Sequence, residues 1–330
     1  MINTDMGIDL GSATVTVYHK ERGVVTQEPA IVAYDQDTRQ VKAVGIEAEL
    51  LLKEMSGNYL CMYPLRNGIV SDYVVMEQML KYFMKKAMGT TLFGKKPNLC
   101  VTVPSCVSEL NKEAVENVAF QAGARDIIVI DETIASAIGS GINIRNTLGN
   151  LIINIGAGST NIAIIVSGHA VISHSIPVAG NTFDRIIRKY VYDTYGIIIS
   201  EKKAEEIKCK LGTAYRRIEN PVMDVTGRDY ANGLSKTVVI ESKEIEKIMA
   251  EPVQQILQAI SFVLSQLTVE LARDIVNRGI VLTGGSALLD GLEKAIVNEF
   301  GINTMTADNP SHVAAIGSGR YVEVMKERRI

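Results

Sequence analysis

The chain has 330 residues, about twice the length of a typical single domain, with 47% hydrophobic and 22% charged residues. These proportions are those of a folded globular protein, so a disordered chain and a disulfide-stapled miniprotein are both excluded. The net charge of −3 and the absence of Trp provide neither the basic surface nor the aromatic platforms of a general nucleic-acid-binding protein, so no nucleic-acid partner is expected.

The cysteines and histidines lack the spacing of metal sites, because no CxxC or HExxH pattern occurs. The cysteines are Cys61, Cys100, Cys106 and Cys209. We predict that they are free thiols in a reducing cytoplasm. Residues 1–9 carry no basic region of a signal peptide, and the longest apolar stretch, 151–172, is too interrupted by polar residues and glycine to span a membrane. The sequence therefore predicts a cytoplasmic protein.

The first predicted element is a β-hairpin in residues 6–18, and a third strand follows Gly23. The turn residues of the hairpin are Gly11, Ser12, Ala13 and Thr14. A tip of this composition gathers backbone N–H groups and hydroxyls in one concavity, as an anionic phosphate requires. An ordinary hairpin with a glycine turn is the alternative.

Helices and strands alternate through the rest of the first half, which favours an α/β fold. A helix is predicted over 72–88, a strand over 99–103, a helix that Ser108 caps and Gly123 ends, and a strand over 127–130. The apolar stripes of these two helices are Met76, Met79, Leu80, Phe83 and Ala87, and Leu110, Ala114, Val115, Val118 and Ala119.

The middle of the chain repeats the opening hairpin. Residues 152–166 have the pattern of strand, turn and strand, and a third strand follows Gly168. The turn residues are Gly156, Ala157, Gly158 and Ser159. Asn154 precedes the first glycine at the same offset as Asp9 in the first copy. This internal repeat predicts two related halves whose hairpins grip one polyphosphate from both sides.

The second half continues with further predicted helices and one more strand. These are a helix capped by Asn181, helices over 201–211 and 242–267, a strand over 279–283, a helix over 286–300 and a last helix near Ala315. Pro252 predicts an irregularity in the longest of these helices.

Phosphate binding is expected at the hairpin pair, because neither a Walker loop nor a GxGxxG pattern occurs. Asp9 would face the phosphates, where a carboxylate needs an intervening cation such as Mg²⁺ held through water; the alternative is an Asp that caps its own turn. Glu132 follows a buried strand and could orient a water for attack on a terminal phosphate. The alternative is a solvated acidic pair with Asp131.

Two further groups of residues are candidates for binding the rest of a nucleotide. Glu205 and Lys208, three apart on one helix, could hydrogen-bond a ribose or could form an exposed ion pair with each other. The sequence Thr-Gly-Gly-Ser at 283–286 lets a backbone approach a flat group because Gly has no Cβ, or it makes a simple strand-to-helix turn.

In this order the motifs resemble the ATPase superfamily of actin, DnaK-type chaperones and sugar kinases, and within it the MreB family, the bacterial actins of rod-shaped cells. The motifs are Asp9-Leu-Gly-Ser, Glu132 after a strand, Asn154-Ile-Gly-Ala-Gly-Ser, Glu205-x-x-Lys208, Thr283-Gly-Gly-Ser-Ala-Leu-Leu and Ala315-Ile-Gly-Ser-Gly319. The resemblance extends from about Asp5 to Met325.

The resemblance implies an actin-like ATPase fold of two related RNase H-like halves, with ATP and Mg²⁺ in the cleft between them. The first domain would comprise residues 1–145 and about 312–330, with an outer subdomain at about 33–65. The second would comprise 146–311, with an outer subdomain at about 181–245.

The resemblance also assigns roles to residues. It assigns catalysis to Glu132 and Ser159, Mg²⁺ to Asp9 through water, and sugar contacts to Glu205 and Lys208. The adenine-side backbone would be that of Gly284, Gly285, Ser286 and Ala287. The phosphate contacts would come from Gly11, Ser12, Ala13, Thr14, Asn154, Gly156, Ala157, Gly158 and Ser159.

Several of these positions depart from the family pattern. Asn154 stands in place of an Asp, Ala157 of a Gly, Ser159 of a Thr, Thr133 of a Pro and Asn181 of an Asp. Losing the Asp at position 154 removes a negative charge near the metal, and an amide presents donors as well as an acceptor. We therefore predict that nucleotide binding is retained and that hydrolysis is slow or lost.

A membrane contact is predicted at Leu92 and Phe93, in the loop after the 72–88 helix. The neighbouring lysines are Lys85, Lys86, Lys95 and Lys96. An apolar pair among lysines suits an anionic headgroup surface, and the similar loop of the MreB family inserts into the membrane. A hairpin folded back on the protein is the alternative.

The sequence thus predicts an ATP-binding, filament-forming cytoskeletal protein at the inner membrane face that helps organise cell-wall synthesis and cell shape. Its expected partners are further copies of itself in paired protofilaments, the membrane surface and the cell-wall elongation machinery. A small-molecule or sugar kinase of the same superfamily is the alternative, although no substrate pocket is evident beyond the nucleotide motifs. A chaperone ATPase is not expected, because no substrate domain follows in this sequence.

Overall fold

The computed structural model describes residues 5–54, 59–66, 69–89 and 96–327. The strands are β1 (Asp5–Leu10), β2 (Thr14–His19), β3 (Gly23–Pro29), β4 (Val32–Asp35), β5 (Val41–Val44), β6 (Tyr59–Met62), β7 (Leu65–Arg66), β8 (Ile69–Val70), β9 (Asn98–Val103), β10 (Asp126–Asp131), β11 (Asn150–Ile155), β12 (Thr160–Val166), β13 (His169–Ile176), β14 (Ile197–Ile198), β15 (Val222–Asp229), β16 (Ser235–Glu241), β17 (Ile280–Thr283) and β18 (Thr304–Thr306). The helices are α1 (Ile46–Glu54), α2 (Tyr73–Met88), α3 (Glu109–Gln121), α4 (Glu132–Gly139), α5 (Gly180–Tyr195), α6 (Glu201–Leu211), α7 (Ser242–Leu264), α8 (Val269–Arg278), α9 (Leu292–Phe300) and α10 (Val313–Glu327).

Two five-stranded sheets have the same topology. Their strand orders are β3-β2-β1-β9-β10 and β13-β12-β11-β17-β18. In each sheet the first three strands pair antiparallel as two hairpins, and the last two strands add in parallel beside the first. The two hairpin motifs of the sequence therefore open two halves of one duplicated α/β architecture.

Two three-stranded sheets and the two-stranded sheet β7-β8 accompany the large ones. The sheet β5-β4-β6 packs with α1, and the sheet β14-β15-β16 packs with α5 and α6. These units lie inside the ranges in which the outer subdomains were expected, about 33–65 and 181–245. The division into domains and subdomains stays a prediction.

Each large sheet has its own hydrophobic core. The stripe that predicted α2 is completely buried, with Met76, Met79, Leu80, Phe83 and Ala87 all at 0% exposure. They pack with residues of β1, β2 and β9, whereas the second core joins β11 and β12 to α5 and α7. The predicted stripe of α3 is wrong at one position: Leu110, in the first turn of the helix, is 75% exposed.

Helices α4 and α10 connect the halves and cross each other closely. At Gly317 a Cβ would overlap the Ala135 carbonyl, and at Gly139 it would overlap the Val313 carbonyl. Only glycine permits this backbone approach. The crossing fixes the start of α4, at Glu132, between the two sheets.

Two predicted details of helices are wrong. Among the described residues no side chain caps α5: Asn181 instead lies inside it and donates its backbone N–H to the Ala157 carbonyl at 2.8 Å. The segment 286–300 is divided into a short 3₁₀ turn, Gly285–Leu288, and α9. Helix α7 continues through Pro252, which is buried, and the irregularity expected at this proline stays a prediction.

Within the described ranges, no helix combines the length and the apolar character needed to cross a bilayer. All four cysteines are free thiols, of which Cys100 is buried and Cys106 and Cys209 are exposed.

Candidate functional site

The two predicted phosphate hairpins are closed by the same backbone hydrogen bond. The Gly11 N–H donates to the Thr14 carbonyl at 3.0 Å, and the Gly156 N–H donates to the Ser159 carbonyl at 3.0 Å. The tips follow β1 and β11, the central strands of the two sheets. The repeat seen in the sequence is therefore a repeat of backbone geometry at two tips of matching composition.

Asp9 lies half-buried at the end of β1. Its Oδ1 accepts a hydrogen bond from Thr102 Oγ1 on the neighbouring strand β9, so this carboxylate oxygen bonds a second strand rather than its own turn. Burial raises the pKa of Asp9, and the Thr102 hydrogen bond opposes that rise. A cation beside this carboxylate would offset the cost of its buried charge.

Glu132 is the first residue of α4 and lies close to Asp9. Burial raises the pKa of Glu132 well above its usual range, and the charges of Asp9 and Asp131 raise it further. Its Oε1 accepts a hydrogen bond from the Asn161 amide, and this hydrogen bond lowers the pKa of Glu132. The structure thus brings together two acids that are far apart in the sequence.

Asp131, the neighbour of Glu132, has a structural role. Its Oδ1 accepts hydrogen bonds from the Thr133 N–H at 2.7 Å and from Ser105 Oγ at 2.8 Å, and it caps α4. The acidic pair is therefore not a solvated pair of equivalent carboxylates: Asp131 orders the helix terminus, and Glu132 lies beside Asp9.

Asn161 is a site residue that the sequence reasoning missed. Its Nδ2 donates to Glu132 Oε1 and to Ser159 Oγ, the latter at 3.0 Å, and the residue is 0% exposed. It pairs with Asn154 across β11 and β12, as Thr16 pairs with Asp9 across β1 and β2. Extending the internal repeat to the returning strand of each hairpin could have found it.

Asn154 lies at the end of β11 and is 5% exposed. Its Oδ1 has no hydrogen-bond partner in the described part of the chain, and neither does Oδ1 of Asn161. Buried amide oxygens are rarely left without a donor in a complete structure. The two unmet acceptors indicate a place that a ligand or its water would complete.

The glycine turn after β17 packs on the second hairpin. Ser286 Oγ donates to the Gly156 carbonyl at 2.7 Å, and the Gly180 N–H donates to the same carbonyl at 3.2 Å. Gly284 has φ +84°, and a Cβ there would overlap Asn154 Oδ1. The second hairpin, the start of α5 and the turn 284–287 therefore form one connected surface.

Lys208 is held by Asp184, which the sequence reasoning also missed. Its Nζ donates to Asp184 Oδ2 at 2.9 Å and to the Gly180 carbonyl at 3.4 Å, whereas Glu205 is exposed. Burial raises the pKa of Asp184, and the Lys208 charge opposes the rise. This pair fixes α6 to the start of α5, beside the second hairpin.

Leu92, Phe93 and Lys95 lie outside the described residues. Of the flanking lysines, Lys86 pairs with the Glu28 carboxylate, whose side chain is 1% exposed, so its charge is matched within the protein. Lys85 and Lys96 are exposed.

No group of three or more His, Cys, Asp or Glu side chains in the described ranges could hold a metal ion by itself. A magnesium ion here would take most of its ligands from phosphate and water, which suits a single carboxylate such as Asp9.

Comparisons with known proteins agree with this architecture. A family model described as MreB/Mbl protein matches residues 3–330. The cell shape-determining protein Mbl of Bacillus subtilis (strain 168) is 37% identical over 325 residues, which cover 98% of this chain and 97% of the relative. The cell shape-determining protein MreB of Escherichia coli (strain K12) is 36% identical over 329 residues, covering 98% and 95%.

Solved structures support the same assignment. The crystal structure of MreB5 of Spiroplasma citri bound to AMPPNP matches with a TM-score of 0.91 and 34% identity, covering 98% of this chain and 97% of that one. The MamK double helical filament shares the fold, with a TM-score of 0.80 and 22% identity over 96% and 98% of the chains. The prediction of an actin-like ATPase fold is confirmed, and the chain belongs to the MreB/Mbl family.

Proposed function

We propose that this protein binds ATP and polymerises into filaments that help determine cell shape at the inner face of the cell membrane. The observation that carries the proposal is the pair of identically closed hairpin tips at matching positions of the two sheets, with Asn161 joining Glu132 to Ser159 at the second tip. Two relatives are named as cell shape-determining proteins, MreB5 was solved with AMPPNP and with ADP, and MamK was solved as a filament.

The nucleotide would lie between a first domain, 1–145 with about 312–330, and a second domain, 146–311. The tip at 11–14 would bind its phosphates from one side and the tip at 156–159 from the other, since both have glycine-containing turns with N–H groups and hydroxyls. Glu205 and Lys208 would bind the sugar, and the backbone at 284–287 would face the adenine. The unmet acceptors of the two buried asparagines support a ligand at this place.

Magnesium would be held by Asp9 through water. It supplies positive charge that offsets the phosphates and the buried Asp9 carboxylate. Glu132 would orient the attacking water and Ser159 would hydrogen-bond the terminal phosphate. Because Asn154 lacks the charge of a carboxylate, we expect weak metal binding and slow hydrolysis.

The filament would lie on the membrane through Leu92 and Phe93, with Lys85 and Lys96 near the lipid headgroups. Its partners would be further copies of this chain, arranged in paired protofilaments, and the cell-wall elongation machinery. No described contact favours the alternative, a small-molecule kinase.

Sedimentation and electron microscopy test the proposed assembly. The purified protein should pellet as filaments with ATP and Mg²⁺ and remain in the supernatant without nucleotide. Asp9→Asn should abolish pelleting, whereas Asp126→Asn, which changes an exposed aspartate on β10, should not. A protein that binds ATP but stays monomeric at all concentrations would contradict filament formation and favour the kinase alternative.

A further inference from the structure

Asn161 connects two side chains to which the proposed function assigns chemistry. Glu132 belongs to α4, which follows the first sheet, whereas Ser159 and Asn161 belong to the hairpin of the second sheet. The Asn161 amide is hydrogen-bonded to both. It is therefore a polar bridge between the second hairpin and the start of α4.

The direction of these hydrogen bonds restricts the geometry of the site. Nδ2 has two hydrogens, and its hydrogen bonds to Glu132 Oε1 and Ser159 Oγ use both. Because Ser159 Oγ accepts from the amide, its own hydrogen is left for another acceptor. Because Oε1 of Glu132 is engaged, Oε2 is the oxygen left for a water.

The burial of Asn161 adds an independent observation. The residue is 0% exposed, and its Oδ1 has no partner in the described ranges. A buried acceptor without a donor destabilises the fold, because the oxygen has lost its hydrogen bonds to water. A side chain needed only for packing could be apolar without this cost, so the amide points to a role that requires its hydrogens.

We propose that Asn161 is a positioning residue for ATP hydrolysis. Its amide fixes Glu132 Oε1 and Ser159 Oγ. Glu132 Oε2 is then available to the attacking water, and the Ser159 hydroxyl hydrogen is available to the terminal phosphate. The inference rests on the proposed nucleotide site. It adds to that site a residue that acts through two others.

The test compares Asn161→Leu with Asn150→Leu. Asn150 is also a buried asparagine, 4% exposed, and it lies at the opposite end of β11 from the hairpin tip. There it donates a hydrogen bond to the Leu148 carbonyl and accepts one from Arg278. Both changes remove a buried amide, but only the first removes the bridge. Asn161→Asp, which keeps the shape and loses the donors, serves if the leucine variant does not fold.

The primary measurement is the affinity for ADP with and without aluminium fluoride, which imitates the phosphoryl group in transfer. In the natural protein aluminium fluoride should tighten ADP binding at least about tenfold. Asn161→Leu and Asn161→Asp should bind ADP within about threefold of the natural affinity and lose the tightening, and single-turnover hydrolysis should fall about 10- to 100-fold. Asn150→Leu should retain both.

The outcomes separate the two proposals. If the natural protein binds neither ADP nor ATP, the nucleotide site itself is wrong. If it binds ADP but aluminium fluoride gives no tightening, or if the Asn161 variants keep the tightening, the positioning role is overturned and the site stands. Equal losses in Asn150→Leu would also overturn it, because they would show a structural effect.

Discussion

At the scale of single residues, the chemistry of the candidate site depends on which polar side chains are cross-strand neighbours on β11 and β12. Asn154 and Asn161 are direct cross-strand partners, both are at most 5% exposed, and neither Oδ1 has a hydrogen-bond partner among the described residues. The two amides differ in their surroundings: Asn161 bridges Glu132 and Ser159, whereas Asn154 faces the turn at Gly284. Substitutions at the two positions should therefore have different effects.

Asn154→Asp should convert a weak metal site into a stronger one. A carboxylate adds a negative charge and removes the amide donors, so Mg²⁺ should bind more tightly and phosphate release should rise about tenfold. The buried charge should also lower the melting temperature of the nucleotide-free protein and enlarge the stabilisation by Mg²⁺ and ADP, because the metal offsets its desolvation. Steady-state phosphate release and thermal unfolding measure the two effects.

Asn150→Asp is the matched control for this change, since it adds the same charge on the same strand beside Arg278 rather than beside the tip. If turnover of Asn154→Asp equals that of the natural protein at all Mg²⁺ concentrations, the amide at position 154 does not limit hydrolysis. The remaining departures, Ala157 and Ser159, would then be the positions to exchange.

At the scale of elements, the turn between β17 and the 3₁₀ segment depends on glycine for two reasons. Gly284 has φ +84°, and a Cβ there would overlap both Asn154 Oδ1 and the Ile155 carbonyl. Gly284→Ala should therefore lower the free energy of unfolding by about 2–6 kcal/mol, the sum of an overpacked contact and of a backbone conformation, φ +84° with ψ +157°, that is nearly restricted to glycine. ADP binding should weaken with it, because the turn lies against the second hairpin.

Gly89→Ala separates the two causes. Gly89 lies at the end of α2 with φ +64° and ψ −164°, close to the conformation of Gly284, and the nearest atom to its Cβ position is Arg22 Nη1 at 4.0 Å. This variant should lose only the backbone contribution, about 1–3 kcal/mol, and should keep ADP affinity. Denaturant unfolding of both variants checks the difference, and equal losses would show that the contact with Asn154 has no cost.

Elements whose signal is local could be predicted from the sequence. The stripe of α2 lies on one face, and the residues Asp72 and Ser108 cap α2 and α3 through their own side chains. Both hairpin turns follow from their glycines. These features are set by residues a few positions apart, and the fold class follows from their alternation.

Features that depend on distant partners could not be predicted in this way. Asn181 does not cap α5, because the second hairpin supplies acceptors for the N–H groups at the start of that helix. Asp184 was missed because its partner, Lys208, is on another helix. Extending the internal repeat to β12 would have singled out Asn161, but its contact with Glu132 depends on the position of α4, which the pattern of the strand does not contain.

At the scale of the whole molecule, duplication explains both the length of the chain and the place of the site. Each half supplies a sheet whose central strand ends in a phosphate-type hairpin, and α4 and α10 join the halves at a glycine crossing. A site built between two such halves responds to their relative position. Nucleotide binding in the cleft would thereby be coupled to the surfaces through which copies of the chain associate.

The proposed membrane binding would also depend on the whole assembly, because one Leu-Phe pair would anchor a single subunit only weakly. The Lys86 charge is paired with Glu28, whereas Lys85 and Lys96 are exposed. Among the described residues, fewer lysine charges are therefore available to attract lipid headgroups than the sequence pattern indicates. Binding should therefore depend mainly on Leu92 and Phe93 and on many subunits acting together in a filament.

Replacing Leu92 and Phe93 together by aspartate should abolish flotation of filaments with vesicles that contain anionic lipid, while ATP-dependent pelleting without vesicles continues. Lys85→Ala with Lys96→Ala should reduce flotation only partly, and the reduction should vanish in high salt because the headgroup attraction is screened. Monomeric Asp9→Asn protein should float poorly although its loop is unchanged, since a single anchor is too weak. Full flotation of that monomer would show that assembly is not needed, and full flotation of the aspartate variant would place the membrane contact on another surface.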